Sequence, residues 1–305
     1  MLTTPQSPFI DPHTVSISSR FNLDSWDMQD ADVLFLTPDQ VFFYAHRLIL
    51  LRYSSNAFGG FLAGDTTSSD PHDDVEVSQP MSDSDSLLSL EPKLEVLNIP
   101  SDILNVILLA IYQLPIQDFA PSNETLREVI SALASLGYDP SVIACLRSEL
   151  YGLLLKAAAA DPLSMYAAAA QCSFESLAVS VSALTLRTSL HGITDEMCQQ
   201  MGPIYLRRLF FLHFGRADAL KRIILPLPST HPSGSNARCD AEAQKGIQRA
   251  WTLASAHIIA QSLPGEINDV VSLLGTRIEC SECARSLQER VSRLVHDWST
   301  VKYTI

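Results

Sequence analysis

The spacing of apolar residues changes period several times along the chain. Val33 and Phe35, flanked by Leu34 and Leu36, form a short apolar run. Thr37-Pro38-Asp39-Gln40 is a turn signal with proline at its second position, and Val41 to Tyr44 is a second β-favouring run. Two such runs around a tight turn predict a β-hairpin. From Ala45 the period becomes helical, with Leu48, Ile49 and Leu51 on one face, and it fades at Ser54-Ser55-Asn56. Residues 57–62 read as a further short helix, loosened by Gly59-Gly60. Leu94, Val96, Leu97 and Ile99 predict a strand, and Pro100-Ser101-Asp102 opens a helix with Ser101 as its N-cap. Residues 103–113 are apolar nearly all round, as in a central buried helix. Residues 125–137 are amphipathic and end at Gly137, a residue suited to the turn that closes a helix.

Beyond Pro140 only helical periodicity is present. It predicts helices over 142–156, 162–172, 174–190, 195–213 and 217–225, a Pro/Ser/Gly loop over 226–238, then helices over 241–261, 266–275 and 280–301. No fixed-period internal repeat occurs. The fold class expected is therefore α+β in the N-terminal part, a small sheet with a helical cluster, followed by an all-α C-terminal region from 140 to 305.

Two stretches depart from these patterns. Residues 1–20 are rich in Ser, Thr and Pro and read as disordered. Residues 64–92 carry Asp65, Asp70, Asp73, Asp74, Glu76, Asp83, Asp85 and Glu91, three prolines, and no Lys or Arg. Such a stretch cannot bury enough apolar surface to offset its ordering entropy and reads as a disordered acidic insert. Its charge changes how the net charge of -13 is understood: most of the excess belongs to this one segment, so the rest of the chain is only mildly acidic. An acidic chain repels phosphate backbones, which argues against nucleic-acid binding. The hydrophobic fraction of 47% allows a sizeable core. The opening residues lack the basic and apolar regions of a secretory signal, and no apolar run approaches the ~20 residues that span a bilayer. The six cysteines then read as reduced thiols in the cytosol or nucleus.

The run Asp32-Val33-Leu34-Phe35, the turn, Phe42-Phe43-Tyr44-Ala45-His46-Arg47, Leu48-Ile49-Leu50, then Ser54 and Phe58, resembles the signature of BTB (POZ) protein-interaction domains. Residues 96–99 and 103–112 are similar to that family's third strand and central helix, the latter ending in Ile111-Tyr112. Leu136-Gly137-Tyr138-Asp139 fits a later helix end, so the resemblance runs over residues 21–139 around the insert. Asp161-Pro162-Leu163-Ser164-Met165-Tyr166-Ala167 and Met201-Gly202-Pro203 are similar to the helical extensions that follow such domains in many fungal proteins.

The resemblance implies a non-catalytic module that self-associates or binds a protein partner. It also implies that Asp32 and Arg47, with His46 beside them, form a charged pocket at a dimer interface; the alternative is that the pair holds the fold together. His46 reads as a residue that caps or packs under its helix. Phe21, Leu23, Trp26 and Phe35 are candidate contacts. Two departures bear on this: residues 15–29 show no long helix before the first strand, which weakens strand-exchanged dimerisation, and residues 58–67 lack the Glu of the motif that recruits a cullin-type ubiquitin ligase scaffold. A cullin scaffold is thus the alternative partner.

Phosphate-loop, dinucleotide, nucleophile-elbow and H-E-x-x-H motifs are absent from the sequence, so no catalytic residue and no cofactor is expected. Cys280-Ser281-Glu282-Cys283 has metal-ligand spacing, but a tetrahedral zinc site needs four ligands. Cys239 and His257 are the residues that could complete it; the competing reading is a pair of thiols packed in a helical core. Arg207-Arg208, Arg216 and Lys221-Arg222 form a basic stretch, read as a solvated helical face or as a patch for an acidic partner.

Overall fold

The computed structural model of the chain describes residues 15–63, 92–232, 239–261 and 278–305. The acidic insert, apart from Pro92, and the helix expected over 266–275 lie outside these residues. The chain divides into two compact units, Met1–Ala157 with Gln171–Phe174, and Ala158–Ala170 with Glu175–Ile305.

The expected hairpin forms the centre of the first unit. β2 (Val33–Leu36) and β3 (Val41–Ala45) are antiparallel, with Phe35 opposite Phe43 and Val33 opposite Ala45. Because side chains alternate across a strand, these four residues share one face, and all four are buried. β1 (Ser16–Ile17) pairs in parallel with β3, so ordered structure starts before residue 20, inside the stretch expected to be disordered. β4 (Lys93–Val96) pairs in parallel with β2 and completes the order β1-β3-β2-β4. Leu94 and Val96 of this edge strand are exposed.

α1 (Arg47–Leu51) follows the hairpin. The expected helix over 57–62 is not formed: Ala57, Phe58, Gly59 and Gly60 have φ of 55, 58, 70 and 87°, a left-handed turn that cannot continue a right-handed helix. The Ser54 hydroxyl accepts the Phe58 N–H at 2.7 Å and holds this turn. Phe58 is thereby buried, stacked on Phe35 at 5.1 Å and edge-on to Tyr138 at 6.1 Å. α2 (Ser101–Ile111) is the buried central helix and packs against α3 (Asn123–Ser135). Helix α2 begins with Pro100 as N-cap rather than Ser101. The missing cap is supplied at long range by Asp39 of the hairpin turn, which accepts both the Ser101 N–H, at 3.1 Å, and the Ser101 hydroxyl. Where one helix was expected over 142–156, a turn separates α4 (Pro140–Ile143) from α5 (Glu149–Ala158).

The second unit is helical: α6 (Pro162–Gln171), α7 (Glu175–Thr185), α8 (Asp195–Ile224), α9 (Ala241–Gln261) and α10 (Ser281–Thr300). The Ala167–Ala170 run is buried. The break in α8 falls not at 214–216, as the apolar spacing suggests, but at Gly202, whose φ of 64° interrupts the helix immediately before Pro203. Trp251, Leu220, Ile224, Ile258, Leu287 and Leu294 make a core between α8, α9 and α10. The carbonyls at the end of α8 and just beyond it are satisfied from its neighbours: the Trp251 indole N–H donates to Ile224 at 3.0 Å, and the Arg290 guanidinium donates to Ile223 and, at 2.8 Å, to Pro226. Among the described residues no helix is long and apolar enough to cross a membrane.

Candidate functional site

Asp32, His46 and Arg47 do come together, but not as an ion pair. The Asp32 carboxylate accepts the backbone N–H of Arg47 at 2.7 Å, at the first turn of α1. The Arg47 guanidinium instead donates to the Leu62 carbonyl. His46 is locked from both sides: its backbone N–H donates to the Tyr112 hydroxyl oxygen at 2.8 Å, while Nδ1 lies 3.0 Å from the same oxygen. The tyrosine proton then goes to Nδ1, which leaves Nε2–H to meet Asp30 at 3.1 Å. Burial pushes the Tyr112 hydroxyl up to about 12, so it stays a neutral donor. These contacts tie the hairpin exit to the end of α2.

Of the four candidate contact residues, Phe21 and Phe35 are fully buried and are taken off the surface. Phe21 packs under the loop that precedes β2, its ring 5.5 Å from Tyr112 and 6.3 Å from Phe43. An apolar residue beside a strand reads the same whether it faces core or solvent, so the sequence did not separate them. Leu23 is 43% and Trp26 84% exposed. The loop carrying them is fixed by its own hydrogen bonds. The Asn22 amide donates to the Ser18 and Ser19 carbonyls, each at 2.8 Å, and the Ser25 hydroxyl donates to Arg20 at 2.9 Å. Arg20 grips Asp27 in a two-pronged pair at 3.1 and 2.5 Å, which holds the Asp27 carboxyl below the usual carboxylate range.

The second constellation lies in the helical unit. Cys280 is the N-cap of α10 and Cys283 sits in its first turn. Cys239 lies two residues before α9, and its sulfur is 3.5 Å from that of Cys283. The histidine beside them is His231, not His257: Nε2 of His231 is 3.3 Å from both the Cys280 and Cys283 sulfurs, whereas His257 is exposed on α9. Ligand-type atoms of His231, Cys239, Cys280 and Cys283 all lie within 4.8 Å of one another. The three cysteines are buried free thiols packed against Ile247 and Ile278. Backbone N–H groups of Cys283 and Glu282, at the start of α10, draw the Cys280 thiol down to about 7. Burial pushes Cys283 the other way, up to about 12.

The basic stretch is largely engaged within the helical unit. Arg208 pairs with Glu175 at 2.6 Å, Arg222 with Asp218 at 2.6 Å, and Arg216 lies over the Trp298 ring at 4.3 Å.

No protein-family model, curated protein or solved structure matches the chain.

Proposed function

We propose that this chain is a non-catalytic protein-interaction protein whose first unit is a BTB-like module. That module presents Trp26 and Leu23 to a protein partner, in the simplest case a second copy of the chain. The observation that carries this reading is Trp26. It is left almost wholly in solvent at 84% exposure, on a loop that the Asn22, Ser25 and Arg20–Asp27 contacts hold in one conformation. A large aromatic side chain presented without further ordering is the kind of anchor on which interfaces concentrate their binding energy. The succession of hairpin, α1, β4 and α2 supports the reading, since it is the order that the resemblance implies.

Light scattering coupled to gel filtration tests it. The wild type is expected to run at twice the 33.5 kDa chain mass. Trp26→Ala is expected to weaken association by about tenfold or more while leaving the thermal unfolding midpoint in place. Equal masses for the two proteins at every concentration overturn self-association through this surface.

A further inference from the structure

We propose that His231, Cys239, Cys280 and Cys283 bind one zinc ion as a closed structural site joining the exit of α8 to the starts of α9 and α10. The site is independent of the interaction reading above.

The geometry is that of a tetrahedral centre seen without its ion. Around zinc, with Zn–S of about 2.3 Å and Zn–N of about 2.0 Å, neighbouring ligand atoms lie roughly 3.4–3.8 Å apart. Here three of the ligand pairs are 3.3, 3.3 and 3.5 Å apart, and the whole set spans no more than 4.8 Å. Buried thiols in a helical core would account for the cysteines alone. They would not account for an imidazole nitrogen directed at two of them.

The surroundings also have the form that a metal-bound histidine requires. Nδ1 of His231 lies 3.1 Å from the Pro232 carbonyl and 3.4 Å from the Glu282 carboxylate. A proton held at Nδ1 by these acceptors leaves the Nε2 lone pair facing the sulfurs, which is the tautomer that coordinates. The backbone of His231 is anchored separately, because the buried Gln244 side chain donates to its carbonyl at 3.0 Å. Cys280, the N-cap of α10, stands at the positive end of that helix dipole, which favours its thiolate.

Binding displaces the three thiol protons and gives a centre of net charge -1, partly offset by that helix end. Three sulfurs and one imidazole suit zinc, a borderline-soft ion without geometric preference, better than a hard cation. All four positions are filled by the protein and the cysteines are buried, so no position is open for substrate. The site is structural rather than catalytic.

The test uses the full chain, purified under reducing conditions, with the metal alone as probe. One zinc per chain is expected by elemental analysis. After zinc is stripped, Co2+ is expected to give the visible bands of a tetrahedral centre and a thiolate-to-cobalt charge-transfer band, saturating at one equivalent and bleached by Zn2+. Cys283→Ser and His231→Ala are expected to lower zinc affinity at least a hundredfold, and Glu282→Gln about tenfold. Cys198→Ser and His257→Ala, outside the group, are expected to leave it unchanged. Should Cys283→Ser fail to fold, the wild-type cobalt spectra still decide. Zinc below about a tenth of an equivalent together with no cobalt bands overturns the proposal. So does iron with sulfide in place of zinc.

Discussion

Gly137 shows how much can rest on one residue in the first unit. It ends α3 with φ of 80°, and a Cβ placed there would fall 2.2 Å from the Asn56 side-chain oxygen and 2.8 Å from its backbone nitrogen. The close approach exists because the 54–56 segment closes the helix: Ser54 donates to the Leu136 carbonyl at 2.7 Å, and the Asn56 amide to Ser135 at 2.9 Å. Gly137→Ala meets both a disfavoured backbone angle and a backbone clash, so a loss of about 2–3 kcal/mol is expected. Urea unfolding of the two proteins measures it; a loss below about 0.5 kcal/mol would show that the 54–56 segment yields readily. The sequence identifies Gly137 as a helix terminator, because glycine after an amphipathic run is a local signal. It does not identify Asn56 as its neighbour, since the contact joins segments about eighty residues apart in the chain. Asp32 and Arg47 illustrate the same limit. Their proximity was legible, while the choice of a backbone N–H over a guanidinium as the carboxylate's partner depends on where Leu62 falls.

Among the elements, those set by local periodicity were legible and those set by remote contacts were not. The β2–β3 hairpin follows from alternating apolar residues around a proline turn, and α2 from an unbroken apolar run. The left-handed turn at 57–60 did not follow, because Ala57 and Phe58 carry no local preference for positive φ. They adopt it where the Ser54 hydroxyl and the Phe35–Phe58–Tyr138 ring contacts outweigh the local strain. The start of α2 is likewise set from outside by Asp39. Burial acts to raise the Asp39 carboxyl, but the Ser101 and Thr37 hydroxyls and backbone N–H groups overcome this and leave it below its ordinary value of 3.8. A depressed folded value means the ionised form is the one the fold favours. Its contribution is therefore complete above the unfolded value, near pH 4, and fades as pH falls through the folded one. Asp39→Asn is expected to lower stability by about 1 kcal/mol near pH 6, with the gap to wild type narrowing toward about pH 2.5. Denaturant melts at the two pH values check this, and a constant gap would show that ionisation of Asp39 is not what caps α2.

For the molecule as a whole, an α+β first part and a helical second part were legible from the change of period alone. The cysteine–histidine group was legible only in half: the Cys280/Cys283 spacing and Cys239 were visible. His231 was not distinguished from His257, because it lies in a Pro/Ser/Gly stretch where no periodicity reports on facing. The three tryptophans are divided unequally between the two units: Trp26 is the first unit's, while Trp251 and Trp298 belong to the second. Trp26 stands in solvent, whereas Trp251 is buried beneath the Arg290 guanidinium at 5.1 Å from its centroid. Intrinsic fluorescence therefore separates the two units without any label. Iodide is expected to quench the red-edge emission of Trp26 and spare Trp251, and Trp26→Phe is expected to remove most of the quenchable component, leaving the share of half-buried Trp298. A red shift on heating then reports chiefly the loss of the α8–α9–α10 core, so a fluorescence melt follows the second unit and leaves the first almost silent.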